Sequence, residues 1–183
     1  GCRFCQAGMI YRPVREKSAS RLVELAKDII SSTGYGEISL SSLSTSDYSE
    51  LKQITEILTD DFRQRHVGLS LPSLRIDAFS LGLAKKVQEI KKTGLTFAPE
   101  AGTQRLRDVI NKGVTTEDLL SSVRDAFSLG WNTIKLYFMI GLPTETYEDL
   151  KGISDLTYAV VDEYRKVNGN TRGLRVNVST STF

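Results

Sequence analysis

Short apolar runs of strand character alternate along this chain with segments of helical periodicity, and that alternation restricts the fold more than any other feature. The strand-like runs start near residues 37, 67, 95, 133 and 174. Their spacing, about 30 to 40 residues, is the length of one strand–helix–strand unit, whose crossover makes successive strands parallel. Between them, Ala19, Leu22, Val23, Ala26, Ile29 and Ile30 share a helical face that Thr33-Gly34 closes. Leu51, Ile54, Leu58 and Phe62 mark a second helix, Leu83, Val87 and Ile90 a third, and Leu106, Val109 and Ile110 a fourth. Thr116 with Glu117 and Asp118 opens a fifth, in which Leu119, Leu120, Val123, Ala126 and Phe127 share a face before Gly130. The longest passes through Leu150, Ile153, Leu156, Val160, Val161 and Tyr164 and stops at Asn168-Gly169-Asn170.

The pattern predicts strands over 37–42, 67–71, 95–98, 134–140 and 174–178, hence an α/β fold with about five parallel strands and one more expected before Gly1. A closed eight-stranded barrel takes about 250 residues. The 183 residues here therefore predict either a partial barrel or an open doubly wound sheet, in one domain over 1–183. The chain starts without an initiator methionine and reads as a piece of a longer protein. A net charge of +2 gives no electrostatic argument for nucleic acid or a membrane surface. No apolar run approaches the ~20 residues that span a bilayer, and no signal pattern is present, so a cytoplasmic location is expected.

Parallel sheets hold ligands at the carboxyl ends of their strands. Four loops lie there: Ser41-Ser42-Leu43-Ser44-Thr45, Pro72-Ser73-Leu74-Arg75-Ile76-Asp77, Pro99-Glu100-Ala101-Gly102-Thr103 and Gly141-Leu142-Pro143-Thr144. Three of the four prolines fall in them, so this rim is polar and stiff, as a site for a polar small molecule requires. Each loop also has a plainer interpretation. Glu100 could cap the helix that begins near Thr103, Gly141-Leu142-Pro143 could be an ordinary strand-end turn, and Arg75 with Asp77 could be an exposed ion pair worth at most about 1 kcal/mol.

The two cysteines, Cys2 and Cys5, stand three residues apart, close enough for both sulfurs to reach one metal or cluster. Spacing alone leaves a dithiol redox pair and half of a zinc site open as well. Against zinc, the single histidine, His66, is far along the chain and suits a surface or helix end, and no other thiol completes four ligands.

Gly1-Cys2-Arg3-Phe4-Cys5 followed by Gln6-Ala7-Gly8 resembles the second half of the C-x-x-x-C-x-aromatic-C loop of the radical S-adenosylmethionine superfamily, in which three cysteines hold a [4Fe–4S] cluster. The resemblance implies a partial parallel (β/α) barrel open at one edge, with the first cluster cysteine three residues before Gly1. It implies Cys2 and Cys5 as cluster ligands and Phe4 with its backbone against adenine. Ser41, Ser42 and Ser44 occupy the place that meets the amino group of the methionine moiety, although the usual Gly-Gly-Glu is absent. Glu100-Ala101-Gly102-Thr103 resembles the Glu-Ser-Gly-Ser element that contacts the ribose. The run from Tyr137 to Pro143 resembles the G-x-I-x-G-x-x-P element, with Tyr137 in place of the first glycine and Ile140, Gly141, Leu142 and Pro143 lining adenine. Asn177, on the last strand, would border adenine too.

Within the superfamily, Arg75-Ile76-Asp77 and the run from Glu100 to Arg107 look most like a family in which this core follows a cobalamin-binding-like domain, similar in sequence style to the methylthiotransferases. The implied activity is reductive cleavage of S-adenosylmethionine to a 5′-deoxyadenosyl radical that acts on a further substrate. An electron donor such as flavodoxin or ferredoxin is then a partner, and cobalamin a possible additional cofactor. The alternatives are a non-catalytic nucleotide-binding or interaction domain on the same fold and a dithiol redox α/β protein.

Overall fold

The computed structural model describes residues 1–70 and 95–183; the helix expected through Leu83, Val87 and Ile90, and the loop from Pro72 to Asp77, lie outside them. The chain divides into two compact units, one of residues 1–10 with 93–183 and one of residues 11–92.

In the unit of residues 11–92, α2 (Ala19–Thr33) is capped at one end by Ser18, whose hydroxyl accepts from the Arg21 amide, and at the other by Gly34 at φ 69°, a conformation that glycine adopts without strain. It packs with α3 (Leu51–Arg63) around Ala19, Ala26, Ile30, Ile54, Leu58, Phe62 and Leu69. Ile29 was expected on this face but is 47% exposed: neighbouring positions differ by about 100° around a helix, and the stripe through Ala19, Ala26 and Ile30 leaves Ile29 beyond its edge. Strand β1 (Glu37–Ser39) pairs in parallel with β2 (Gly68–Ser70), Ile38 opposite Leu69. β1 ends three residues earlier than the apolar pattern predicted. The Thr45 hydroxyl donates to the Leu40 carbonyl at 3.1 Å and the Ser44 amide donates to the Ser42 hydroxyl at 3.1 Å, so side chains here compete with strand pairing for the backbone.

The other unit starts with a short helix, α1 (Ala7–Ile10), and continues with β3 (Leu95–Glu100), α4 (Gln104–Val109), α5 (Thr116–Ser128), β4 (Thr133–Ile140), α6 (Tyr147–Asn168) and β5 (Arg175–Thr182). Its three strands are parallel in the order β3-β4-β5. The α/β class and the parallel pairing thus hold; the five described strands form sheets of two and three rather than a single one. Ile134, Leu136 and Phe138 are buried on one face of β4, in register with Val176, Val178 and Thr180; Val176 and Val178 line an open cleft together with α6 residues Ile153, Thr157 and Val161. Residues at the alternate positions, Lys135, Tyr137 and Met139, stand in register with Asn177, Ser179 and Ser181 on the opposite face.

Two strand ends in this unit differ from the sequence expectation. β3 runs through Pro99, because the register with β4 shifts between Phe97 and Glu100 and a residue without an N–H is tolerated at such an irregularity. β5 continues to Thr182, opposite Ile140, since backbone pairing carries it past the end of the apolar pattern. α5 begins at Thr116 as expected, and Thr115 before it is the cap, its hydroxyl accepting from the Asp118 amide while the Asp118 carboxylate accepts from the Thr115 amide. Among the described residues no helix is long and apolar enough to cross a membrane.

Candidate active site at the carboxyl end of the three-stranded sheet

The segment carrying both thiols is a tight turn. The Cys5 amide donates to the Cys2 carbonyl at 3.1 Å, and the Gly8 amide to the Cys5 carbonyl at 3.1 Å, leading into α1. Both thiols are free; Cys2 is half-buried and Cys5 exposed. The turn docks on the end of α4. The Arg3 amide donates to the Ile110 carbonyl at 2.9 Å, the Arg3 guanidinium to the Val109 carbonyl at 2.6 Å, and the Asn111 side chain to the Gly1 carbonyl at 2.8 Å. Carbonyls at a helix C-terminus lack partners within the helix and attract a cation, so Arg3 meets both needs. Docked in this way, Phe4 packs against the cluster of Ala101, Leu106, Ile110 and Leu142, which Met139 also joins.

Glu100 ends β3 in the left-handed region at φ 69°, a backbone state that costs a non-glycine residue about 1–3 kcal/mol and persists only where surrounding structure enforces it. Its Oε1 lies 3.2 Å from the Lys112 ammonium. Glu100 is not the cap of α4: that role belongs to Thr103, whose hydroxyl accepts from the Leu106 amide. The loop between them is held from beneath by Arg107, which is buried and donates to the carbonyls of Ala101 at 3.0 Å, Gly102 at 3.3 Å and Val114 at 3.1 Å. Burial pushes its guanidinium below the usual arginine range.

The loop after β4 turns at Gly141, φ 84°. The Gly141 amide donates to the Glu145 carboxylate at 2.7 Å, and the Glu145 amide to the Leu142 carbonyl at 3.0 Å. Leu142 is thereby buried against Ala101, and the Gly141-Leu142-Pro143 segment is a wall of the apolar cluster as well as a turn. Asp149, at the start of α6, is buried and accepts hydrogen bonds from Thr103, Arg105 and both the amide and hydroxyl of Thr146. Burial alone would raise its pKa, but these donors outweigh it and hold the carboxyl well below the ordinary range.

Cys2, Phe4, Cys5, Glu100, Ile140, Gly141, Leu142 and Pro143 thus share one unit and cluster at the carboxyl ends of β3 and β4. Asn177 shares the unit but stands opposite Lys135, well before the strand end where Ile140 meets Thr182. Ser41, Ser42 and Ser44 belong to the other unit; Ser41 and Ser42 are exposed, and the Ser44 hydroxyl is buried with no hydrogen-bond partner. Sequence reasoning missed Lys112, Arg107 and Asp149. Only Asp149 left a signal, its spacing of three from Thr146 in a capping box.

Among the described residues no three His, Cys, Asp or Glu side chains gather as a metal site. The thiols in this unit, on one turn, suit iron–sulfur ligation in kind.

Comparison with known proteins agrees with this arrangement. Residues 1–157 match the model of the radical SAM superfamily. An uncharacterized protein of Methanocaldococcus jannaschii is 36% identical over 166 residues, which are 91% of this chain and 36% of that protein; the chain thus spans about a third of this curated relative. Coproporphyrinogen III oxidase (HemN) from Escherichia coli, a radical SAM enzyme, superposes with a TM-score of 0.57 at 11% identity, over 96% of this chain and 43% of that one. The chain therefore belongs to the radical SAM superfamily.

Proposed function

We propose that Cys2 and Cys5 are cluster ligands and that the rim formed by residues 100–103 and 140–143 holds the nucleoside of S-adenosylmethionine. The observation that carries this reading is the packing of Phe4 against the apolar cluster to which each loop contributes one residue, Ala101 and Leu142. Lys112 engages Oε1 of Glu100, and the remaining oxygen serves a ribose hydroxyl. Ile140, Gly141, Leu142 and Pro143, with the Phe4 backbone, face adenine; Asn177, opposite Lys135, is too far down the strand to border it. When bound, the reduced cluster supplies the electron that splits the sulfonium into methionine and a 5′-deoxyadenosyl radical. The protein's own part is to bind and orient the nucleoside and to exclude water.

The same proposal includes a partial parallel barrel open at one edge, with residues 1–183 as one core domain, a cytoplasmic setting, and flavodoxin or ferredoxin as electron donor. It also includes the finer placement beside a cobalamin-binding-like domain, in the methylthiotransferase-like style of the run from Glu100 to Arg107, with cobalamin as a possible further cofactor. That the relative is much longer than the matched segment leaves room for such a domain.

Electron paramagnetic resonance of the reduced, reconstituted full-length protein tests the ligand assignment. We expect a [4Fe–4S] signal that changes on adding S-adenosylmethionine, with Cys2→Ala and Cys5→Ala each abolishing it. Wild-type iron content and signal in both variants would exclude these thiols as ligands.

A further inference from the structure

Asp149 lies outside the two rim loops in sequence, yet its carboxylate joins the elements that follow them. Its carboxylate receives the hydroxyl of Thr103, the cap of α4, and the amide and hydroxyl of Thr146, the cap of α6. It also receives the Arg105 guanidinium, which in turn donates to the Thr144 carbonyl at 2.9 Å. One buried side chain therefore fastens the start of the helix after β3 to the start of the helix after β4.

The backbone between these points approaches closely. A Cβ on Gly102 would lie 2.3 Å from the Ile153 amide nitrogen and 2.6 Å from the Asp149 carbonyl oxygen, and one on Gly152 would lie 2.8 Å from a Thr103 methyl. Each loop also holds one non-glycine residue in the left-handed region, Glu100 at φ 69° and Thr144 at φ 66°. Such conformations persist where neighbouring contacts over-determine them, and the hydrogen bonds to Asp149 act directly on both loops.

We propose that Asp149, with Thr103 and Arg105 as its donors, is a positioning residue that sets the separation of the 100–103 and 140–146 loops and so fixes the shape of the nucleoside site. This inference rests on the reading that these loops hold the nucleoside. A carboxylate that served only to cap α6 would need Thr146 alone; the three-way junction, reaching 46 residues back to Thr103, is what links the two loops.

The test is the affinity of the reconstituted, anaerobic full-length protein for S-adenosylhomocysteine, measured by equilibrium dialysis alongside thermal unfolding. Arg105→Ala, outside both loops, should weaken binding about tenfold, the scale on which supporting residues act on a site they do not touch, and Thr103→Val should weaken it to a similar degree through the lost bond to Asp149. Thr103→Ser, which keeps the hydroxyl, should restore wild-type affinity. Thr115→Val, which removes an equivalent cap from α5, controls for destabilisation and should lower the melting temperature without changing affinity. If wild-type protein binds while Thr103→Val and Arg105→Ala bind equally well, the positioning role is overturned and the nucleoside site stands. If wild-type protein itself fails to bind, the nucleoside reading falls and the positioning role falls with it.

Discussion

Gly102 and Gly152 meet backbone to backbone, with no room for a methyl group on either. Forcing one in costs about 1–3 kcal/mol in a packed interior, and for a chain of this size each kcal/mol lowers Tm by about 2–4 °C. Gly102→Ala should therefore lower the melting temperature by several degrees in a calorimetric scan; an unchanged Tm would mean that the 100–103 loop and α6 do not approach as described. At this scale the sequence was legible where a residue type is unusual in its place. Cys2, Cys5, Glu100 and Leu142 could be singled out because a thiol pair, a carboxylate before Ala-Gly, and a Gly-Leu-Pro turn at strand ends carry their own signal. Lys112 and Arg107 could not, because a lysine or an arginine beside a helix usually points to water. Only the folded chain shows that Lys112 turns to Glu100 and that Arg107 is buried beneath the loop.

Between elements, the ties are ionic as well as apolar. Glu163 on α6 is buried and joins Arg124 of α5 at 2.7 Å and Lys166 at 2.6 Å, and Phe127 meets Tyr164 edge to face with centroids 4.9 Å apart. The hydrogen bond from Arg124 is the main reason that the Glu163 carboxyl titrates below its ordinary range, and Asp149 is depressed by its donors despite burial. A depressed carboxyl contributes stability that is present above its unfolded pKa, about 4, and lost as pH falls through the folded value. Melting temperature should thus hold steady between about pH 7 and 5 and decline below about pH 4, with Glu163→Gln lower at neutral pH and less sensitive to acid. A Tm that stays level in acid would contradict these ties. Helix positions were read well from periodicity, since a 3.6-residue repeat over 13 to 22 residues is a strong signal. Strand ends were read poorly: β5 carries Ser179, Thr180, Ser181 and Thr182 as strand residues through backbone pairing alone, and such pairing leaves no mark on hydropathy.

In the unit that holds the three-stranded sheet, parallel strands followed by helices set the 100–103 and 140–143 loops at one end of the sheet, and the turn of Cys2 and Cys5 docks on the end of α4 through Arg3 and on the apolar cluster through Phe4. The alternation of strands and helices was legible from spacing alone, and the order of the loops gave the superfamily. The division into two units was not legible, because it depends on which contacts form between distant segments and not on local pattern. The most direct measurement is anaerobic: reconstitute the full-length protein with iron and sulfide, add dithionite and S-adenosylmethionine, and quantify 5′-deoxyadenosine in wild type, Cys2→Ala and Cys5→Ala. The account predicts product that requires both thiols; a fully loaded cluster that yields no 5′-deoxyadenosine would contradict it and identify a core that binds without catalysing.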